Sequence, residues 1–229
     1  MERKGFTLSE VLITLGIIGV VAALTLPVLI GSYKKNTTLT TLKKDYSVFA
    51  QAFKAAELNK GDIKDWEYYS TIWYRRKPDD LLNNYLKPYI NIVKTYDVVE
   101  GAGPLKMCDY SVKYKKNSNL IDFEMGGNDK YIPFILDNGS CVVLAQSQSD
   151  TDPSRTNRFY IDVNGKSNPN LLGKDIFVFY VDITNGSFLP YGINDYDRIG
   201  PGCSIGETQE YCAAKILRDG WEIKDDYPW

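Results

Sequence analysis

Lys4-Gly5-Phe6-Thr7-Leu8-Ser9-Glu10, followed by VLITLGIIGVVAALTLPVLI over residues 11–30, decides how the rest of the chain is read. The twenty residues from Val11 to Ile30 carry no charge. As a helix rising 1.5 Å per residue they extend about 30 Å, the hydrocarbon thickness of a bilayer. The segment can span a membrane. Arg3 and Lys4 precede it, so the positive-inside tendency leaves the short N-terminus in the cytoplasm and exports the chain beyond residue 30, although Lys34 and Lys35 on the far side weaken the asymmetry. Glu10 sits directly against the apolar run. An acid within a spanning helix costs a few kcal/mol unless it is paired, so this carboxylate asks for a partner. A conventional signal peptide, with Met1-Glu2-Arg3-Lys4 as its charged region and Val21-Ala22-Ala23 as its cleavage site, leaves Glu10 unexplained. It also leaves seven apolar residues beyond Ala23 without a purpose.

The stretch from Lys4 to Glu10 and the apolar run interrupted by Pro27 closely resemble the class III signal of type IV pilins and of type II secretion pseudopilins. The resemblance implies cleavage between Gly5 and Phe6 by a membrane-embedded prepilin peptidase and methylation of the new amine of Phe6. Gly5, with no side chain, lets the backbone enter a tight protease cleft, while Arg3 and Lys4 hold the leader at the cytoplasmic face. In such a filament the amine of Phe6 and the carboxylate of Glu10 are expensive in lipid alone but pair between adjacent subunits, where low dielectric strengthens their attraction. Pro27 lacks the N–H that would bond the Ala23 carbonyl and disfavours helical geometry at Leu26, so the helix is expected to kink or loosen there. The segment from Gly19 to Pro27 is similar to one that loses helicity in family filaments. An ordinary kinked transmembrane helix with Gly16 and Gly19 for close packing is the plainer alternative.

The 229 residues are 24% charged and 44% hydrophobic, the composition of a folded protein. The formal charge is −2, from 27 basic and 29 acidic residues, and loss of Glu2, Arg3 and Lys4 takes these to 25 and 28. No overall basic field draws the chain to anionic lipid or to nucleic acid, the latter disfavoured as a partner. There is no histidine, which removes the commonest general base and a frequent zinc ligand. Nucleophile elbows, phosphate-binding loops and dinucleotide fingerprints do not occur either, so the chain reads as not an enzyme. Cys108, Cys141, Cys203 and Cys212 lie beyond the export segment, lack any Cys-x-x-Cys pair and read as two disulfides. Of the three possible pairings Cys203 with Cys212 is preferred, as it closes a short loop, leaving Cys108 for Cys141; four buried thiols are the alternative.

Beyond Ser32 the pattern becomes amphipathic. Leu39, Leu42, Tyr46, Phe49 and Phe53 recur at helical spacing, with Lys43, Lys44, Asp45 and Lys54 falling off the stripe. This predicts a helix laid on a core and stopped near Asn59-Lys60-Gly61-Asp62. Residues 62–107 are aromatic and irregular, with Leu81, Leu82, Tyr85 and Leu86 forming a short amphipathic stretch ended by Pro88. Trp66, Tyr68, Tyr69, Trp73 and Tyr74 beside Arg75 and Arg76 can stack sugars or bases, but read better as core and subunit contacts. From about Tyr110 strands dominate: SVKYKK, NLIDFEM, KYIPFIL, SCVVLAQ, RFYIDV and DIFVFYVDI, with Asp137-Asn138-Gly139 a hairpin signal. In the tail Trp221, Tyr227 and Trp229 pin a disulfide loop to the head.

The stretch FYIDVNGKSNPNLLGKDIFVFYV also resembles a pattern in pilin-like proteins of type II secretion, without naming an activity. Major pseudopilins hold calcium in a C-terminal loop, which makes Asp162, Asn164 and Asn168 calcium candidates by resemblance; no other cofactor is expected. The EF-hand pattern is not met, and a turn in which Asn and Asp bond their own backbone serves as well.

The expected fold is α+β and pilin-like: a long N-terminal helix, half transmembrane and half amphipathic, packed on an antiparallel β-sheet head. Residues 1–5 are read as leader, 6–30 as membrane and filament-core helix, 31–61 as its amphipathic continuation and 62–229 as the exported head. The resemblance implies a pseudopilin or minor pilin anchored once in the bacterial inner membrane with its N-terminus in the cytoplasm, its filament lying in the periplasm or at the cell surface. Its implied partners are the prepilin peptidase, other pilin or pseudopilin subunits and an inner-membrane assembly platform. The alternatives are a soluble secreted enzyme or binding protein behind a conventional signal, and a minor pilin for adhesion or DNA uptake.

Overall fold

The computed structural model describes residue 5 and residues 7–70, 77–127, 129–146, 157–195, 197 and 199–229. The chain forms two compact units, Met1–Thr38 and Leu39–Trp229. Helix α1, Leu8–Lys60, contributes to both.

In the first unit α1 carries no charge from Val11 to Ile30, and its large apolar side chains there are exposed around the circumference. The Thr14 and Thr25 hydroxyls donate to the Val11 and Val21 carbonyls at 2.9 Å, so these two side-chain hydroxyls are satisfied within the helix, as lipid demands. By length and composition this helix can cross a membrane. α1 continues through Pro27, and Gly19–Pro27 is helical. The missing proline donor costs one rung of the ladder without ending it in the isolated chain.

In the second unit α1 buries Leu42, Phe49, Ala52, Phe53 and Ala56, with Leu39 and Tyr46 packed at the margin. Asp45 is also fully buried, contrary to its reading as an off-stripe residue. It falls three residues after Leu42 and four before Phe49, which places it on the inner face. Its carboxylate accepts from Asn138 Nδ2 at 2.6 Å and Ser140 Oγ at 2.7 Å, so a buried acid replaces an apolar contact with a polar tie to the sheet. α1 ends as Gly61 (φ +84°) donates to the Glu57 carbonyl, glycine taking the left-handed position after the last turn.

The strands are β1 Ile92–Thr95, β2 Val99–Glu100, β3 Gly103–Pro104, β4 Lys106–Met107, β5 Tyr110–Ser111, β6 Lys113–Lys116, β7 Asn119–Asp122, β8 Glu124–Met125, β9 Lys130–Leu136, β10 Cys141–Gln146, β11 Asn157–Asp162, β12 Ile176–Asp182 and β13 Ser187–Pro190. The main sheet is antiparallel in the order β1-β9-β10-β11-β12-β13, with β2 also on β9. Strand pairing therefore begins at Ile92, before the β-rich region read from the sequence. β1 and β2 are too short for a visible period-two pattern and are extended because β9 offers a ladder.

Register explains the core. Phe134, Val142, Ile161 and Phe177 align across four strands on the face covered by α1, where Phe49, Phe53, Phe159 and Phe188 pack with ring centroids 5.2–5.8 Å apart. Tyr131, Cys141, Val143, Tyr160, Val178 and Tyr180 face the other way, against Leu105, Met107, Val112, Phe123 and Met125. The excursion from β3 to β8 thus covers the second face. Burial on both sides is why CVVLAQ and IFVFYVD are continuous rather than alternating apolar runs. Trp66, Tyr68 and Tyr69 are buried, Trp66 stacking on Tyr85 at 4.3 Å. Trp73, Tyr74, Arg75 and Arg76 lie outside the described residues.

Candidate processing and assembly site

The processing segment is built from the start of α1. Thr7 is the residue before the helix, and its carbonyl accepts the first helical bond from Val11. The Thr7 N–H and hydroxyl both donate to Glu10 Oε2 at 2.8 Å, and the Glu10 N–H donates back to Thr7 Oγ1 at 3.3 Å. This is a reciprocal capping box: two orphan amides of the first turn are satisfied by the two side chains. Its signature, Thr-x-x-Glu ahead of an apolar run, is present in the sequence, although the charge of Glu10 beside that run points first to a neighbouring amine. Gly5, exposed, lies two residues before the cap, in non-helical backbone. Arg3, Lys4 and Phe6 lie outside the described residues. Pro27 is inside α1.

The second distinctive region is the loop from Asp162 to Asp175. Asp162 and Asp175 are buried. Asp162 accepts from the Tyr110 hydroxyl at 2.6 Å and the Asn164 N–H at 3.0 Å. Asp175 accepts from the N–H groups of Leu171 at 2.6 Å and Asn170 at 2.8 Å, and from Asn164 Nδ2 at 3.2 Å. Burial, and secondarily the charge of Asp175, pushes the Asp162 carboxyl up to about 8. Asp175 and Asp45 are raised in the same direction, first by burial. The loop is seated on its neighbours through glycines. A Cβ on Gly165 (φ +61°) would lie 2.7 Å from the Gly139 carbonyl oxygen, and one on Gly173 (φ +76°) 2.8 Å from Cys212 Sγ. Tyr227 Oη donates to the Gly173 carbonyl. Disulfides join Cys108 to Cys141 and Cys203 to Cys212, so the loop touches the second bridge directly.

The calcium candidates can be placed on this geometry. Asp162 and Asn164 come together, whereas Asn168 Oδ1 turns to Asn170 Nδ2 at 3.5 Å. Calcium takes six to eight oxygens, yet here both carboxylates face N–H and O–H donors, whose positive ends repel a cation. Among the described residues no group of three or more acidic, Cys or His side chains could hold a metal. The loop as arranged is a hydrogen-bonded joint. Gly-Lys-Asp at its end is visible in sequence; the hydroxyl of Tyr110, 52 residues before Asp162, has no local signal.

The model of a family described as "Family of unknown function (DUF6613)" matches residues 28–229, and that of the prokaryotic N-terminal methylation motif matches residues 1–26. The chain belongs to the DUF6613 family. No curated protein and no solved structure matches it. In this DUF6613 member the two matches meet at Pro27, with the prepilin signal before it and the family-specific sequence after it. The methylation motif and the α+β arrangement make the chain pilin-like.

Proposed function

We propose that the chain is a structural subunit, a pseudopilin or minor pilin, of a type II secretion pseudopilus or a type IV pilus. The observation that carries this reading is the match of residues 1–26 to the methylation motif, over a helix whose large apolar side chains are exposed around the circumference. Prepilin peptidase cuts between Gly5 and Phe6 and the amine of Phe6 is methylated. The subunit rests in the inner membrane, α1 crossing it once and the head exported. An assembly platform then draws it out, and α1 exchanges lipid for the helices of other subunits. Burial again covers its apolar surface, at about 25 cal/mol per Å², while Glu10 gives a neighbour's amine its counter-ion. The role is mechanical rather than catalytic.

Mass spectrometry of the mature N-terminus from host membranes tests the reading. A peptide starting at N-methyl-Phe6 supports it. A peptide starting near Leu24 would establish a conventional signal and return the head to the class of soluble exported domains.

A further inference from the structure

Along α1 from Leu39 to Ala56 the one acid is Asp45, whose carboxylate is buried against the sheet, so the outer face of this stretch presents Lys43, Lys44 and Lys54. Beside that face, within the second unit, lies a groove of about 530 Å³, inside the range of about 300–1,000 Å³ that ligand sites occupy. Its floor exists because Ala50 is small. Ala50 falls between Tyr46 and Lys54 at helical spacing, and its single methyl leaves a hollow that Tyr46 and Trp221 line with aromatic surface. Alongside, Gln51 Nε2 donates to Ser47 Oγ at 2.8 Å, so the two polar groups satisfy each other. Lys43 and Lys54 are the first and last lining residues on α1, eleven residues apart, which is about three turns and about 16 Å along one face. Trp221 is held at the groove by its backbone. It follows Gly220 beyond the helix Cys212–Arg218, takes φ +63°, a conformation that bulky residues rarely adopt, and donates its N–H to the Ile216 carbonyl at 2.8 Å. Its ring lies 5.3 Å from that of Tyr46, with the Lys43 ammonium over it at 5.9 Å. Lys54 pairs with Glu57 at 2.8 Å. Glu222, next after Trp221, is not among the residues that line the groove.

An apolar hollow between two ammonium groups calls for an apolar side chain between two anions. A groove of this length beside a helix is matched by a second helix, whose rows of side chains repeat at the same spacing. We propose that the groove docks an amphipathic helix of another protein, with an apolar side chain seated over Ala50 against Trp221, one carboxylate meeting Lys43 and another meeting Lys54. Trp and Tyr supply the buried anchor of such an interface, and the lysines at its rim set partner and register. A sugar or a base stacks on a free aromatic face and would first have to displace Lys43 from the indole. Two copies joined symmetrically, groove to groove, would set lysines against lysines, which disfavours a second copy as the occupant. The groove lies wholly within Leu39–Trp229, so the proposal goes beyond the filament reading and stands apart from it.

The test uses the full chain in a mild neutral detergent and a fluorescein-labelled synthetic helix with glutamates eleven residues apart and leucines four and seven residues after the first, a pattern that suits either direction of docking. Fluorescence anisotropy should show saturable binding, weakened about five- to tenfold when both glutamates are replaced by glutamine. Lys43→Glu, an exposed substitution that leaves the core untouched, should weaken the parent peptide about as much. It should regain affinity for one of the two peptides in which a single glutamate is replaced by lysine, an exchange that a purely structural role would not produce. Ala50→Leu fills the hollow and should abolish binding, with thermal melts reporting that the head is still folded. Absence of saturable binding overturns the proposal, and so does equal binding of the glutamine peptide. Self-association of the full chain that Ala50→Leu removes, with no peptide bound, overturns it in favour of a second copy. Binding of an oligogalacturonate in place of the peptide overturns it in favour of an anionic sugar.

Discussion

Glu10 has two separable demands on it. In the chain alone its carboxylate is engaged by Thr7, through a backbone and a side-chain donor at 2.8 Å. In the proposed filament it also neutralises a neighbour's amine. Glutamine satisfies a capping box nearly as well as glutamate but carries no charge. Glu10→Gln should therefore leave the helix start and the cleavage after Gly5 intact and impair filament assembly, whereas Thr7→Ala should cost about 1 kcal/mol of helix stability and leave assembly largely in place. Immunoblots of processed subunit against sheared filaments separate the two; equal filament yield from Glu10→Gln would remove the charge from the mechanism. Asp162 makes a different prediction. Its carboxyl titrates at about 8 in the fold, against about 3.9 for an unfolded aspartate, so between these values the folded state holds a proton that the unfolded state has lost. Stability from this group is complete below about pH 4 and falls as pH rises toward 8. Asp175 and Asp45, raised in the same direction, act with it. The head should melt at a higher temperature at pH 5 than at pH 8, and Asp162→Asn should narrow the difference.

At the scale of elements, the loop from Asp162 to Asp175 joins parts of the head that are far apart in sequence. Gly165 lies on the β9–β10 turn, whose Asn138 holds Asp45 of α1, while Gly173 lies on Cys212 and receives Tyr227. Gly173→Ala forces a side chain into a sulfur and a left-handed backbone, and should lower head stability by about 1–3 kcal/mol and slow closure of the Cys203–Cys212 bridge. Thiol trapping during oxidative refolding, with thermal melts, checks both effects. Because the loop's carboxylates are already engaged by amides, chelation with EDTA and addition of calcium should leave the melting temperature unchanged; a rise with calcium would mean that the loop rearranges to bind it. This loop also shows where sequence is legible. The stripe Leu42-Phe49-Phe53, the Asp137-Asn138-Gly139 turn and the strands from Lys130 to Asp182 emerge from local pattern, and so does the prepilin signal. Asp45 in the core, Tyr110 on Asp162 and the early strands β1 and β2 do not, because their partners are about 30 to 90 residues away and tertiary contact overrides local propensity.

At the scale of the whole molecule, the division at Thr38 and the meeting of two family matches at Pro27 fall within one continuous helix. The physics on either side differs. Before Thr38 the helix has no core of its own; after it, Leu42, Phe49 and Phe53 form part of the hydrophobic core beneath the sheet. A chain beginning at Lys34 behind a conventional signal should thus be exported as a soluble protein with both disulfides formed. A chain beginning at Gly61 should not, because it lacks the layer that covers Phe134, Phe159 and Phe179. Loss of even one such side chain, as in Phe49→Ala, costs about 3–5 kcal/mol, a large part of the stability of an ordinary domain. Periplasmic yield, non-reducing electrophoresis and thermal melts of the two truncations decide the matter. If the longer truncation aggregates while the full chain is stable in membranes, the residues before Lys34 are needed for the head to fold, and the boundary between anchor and head lies further toward the N-terminus than the packing places it.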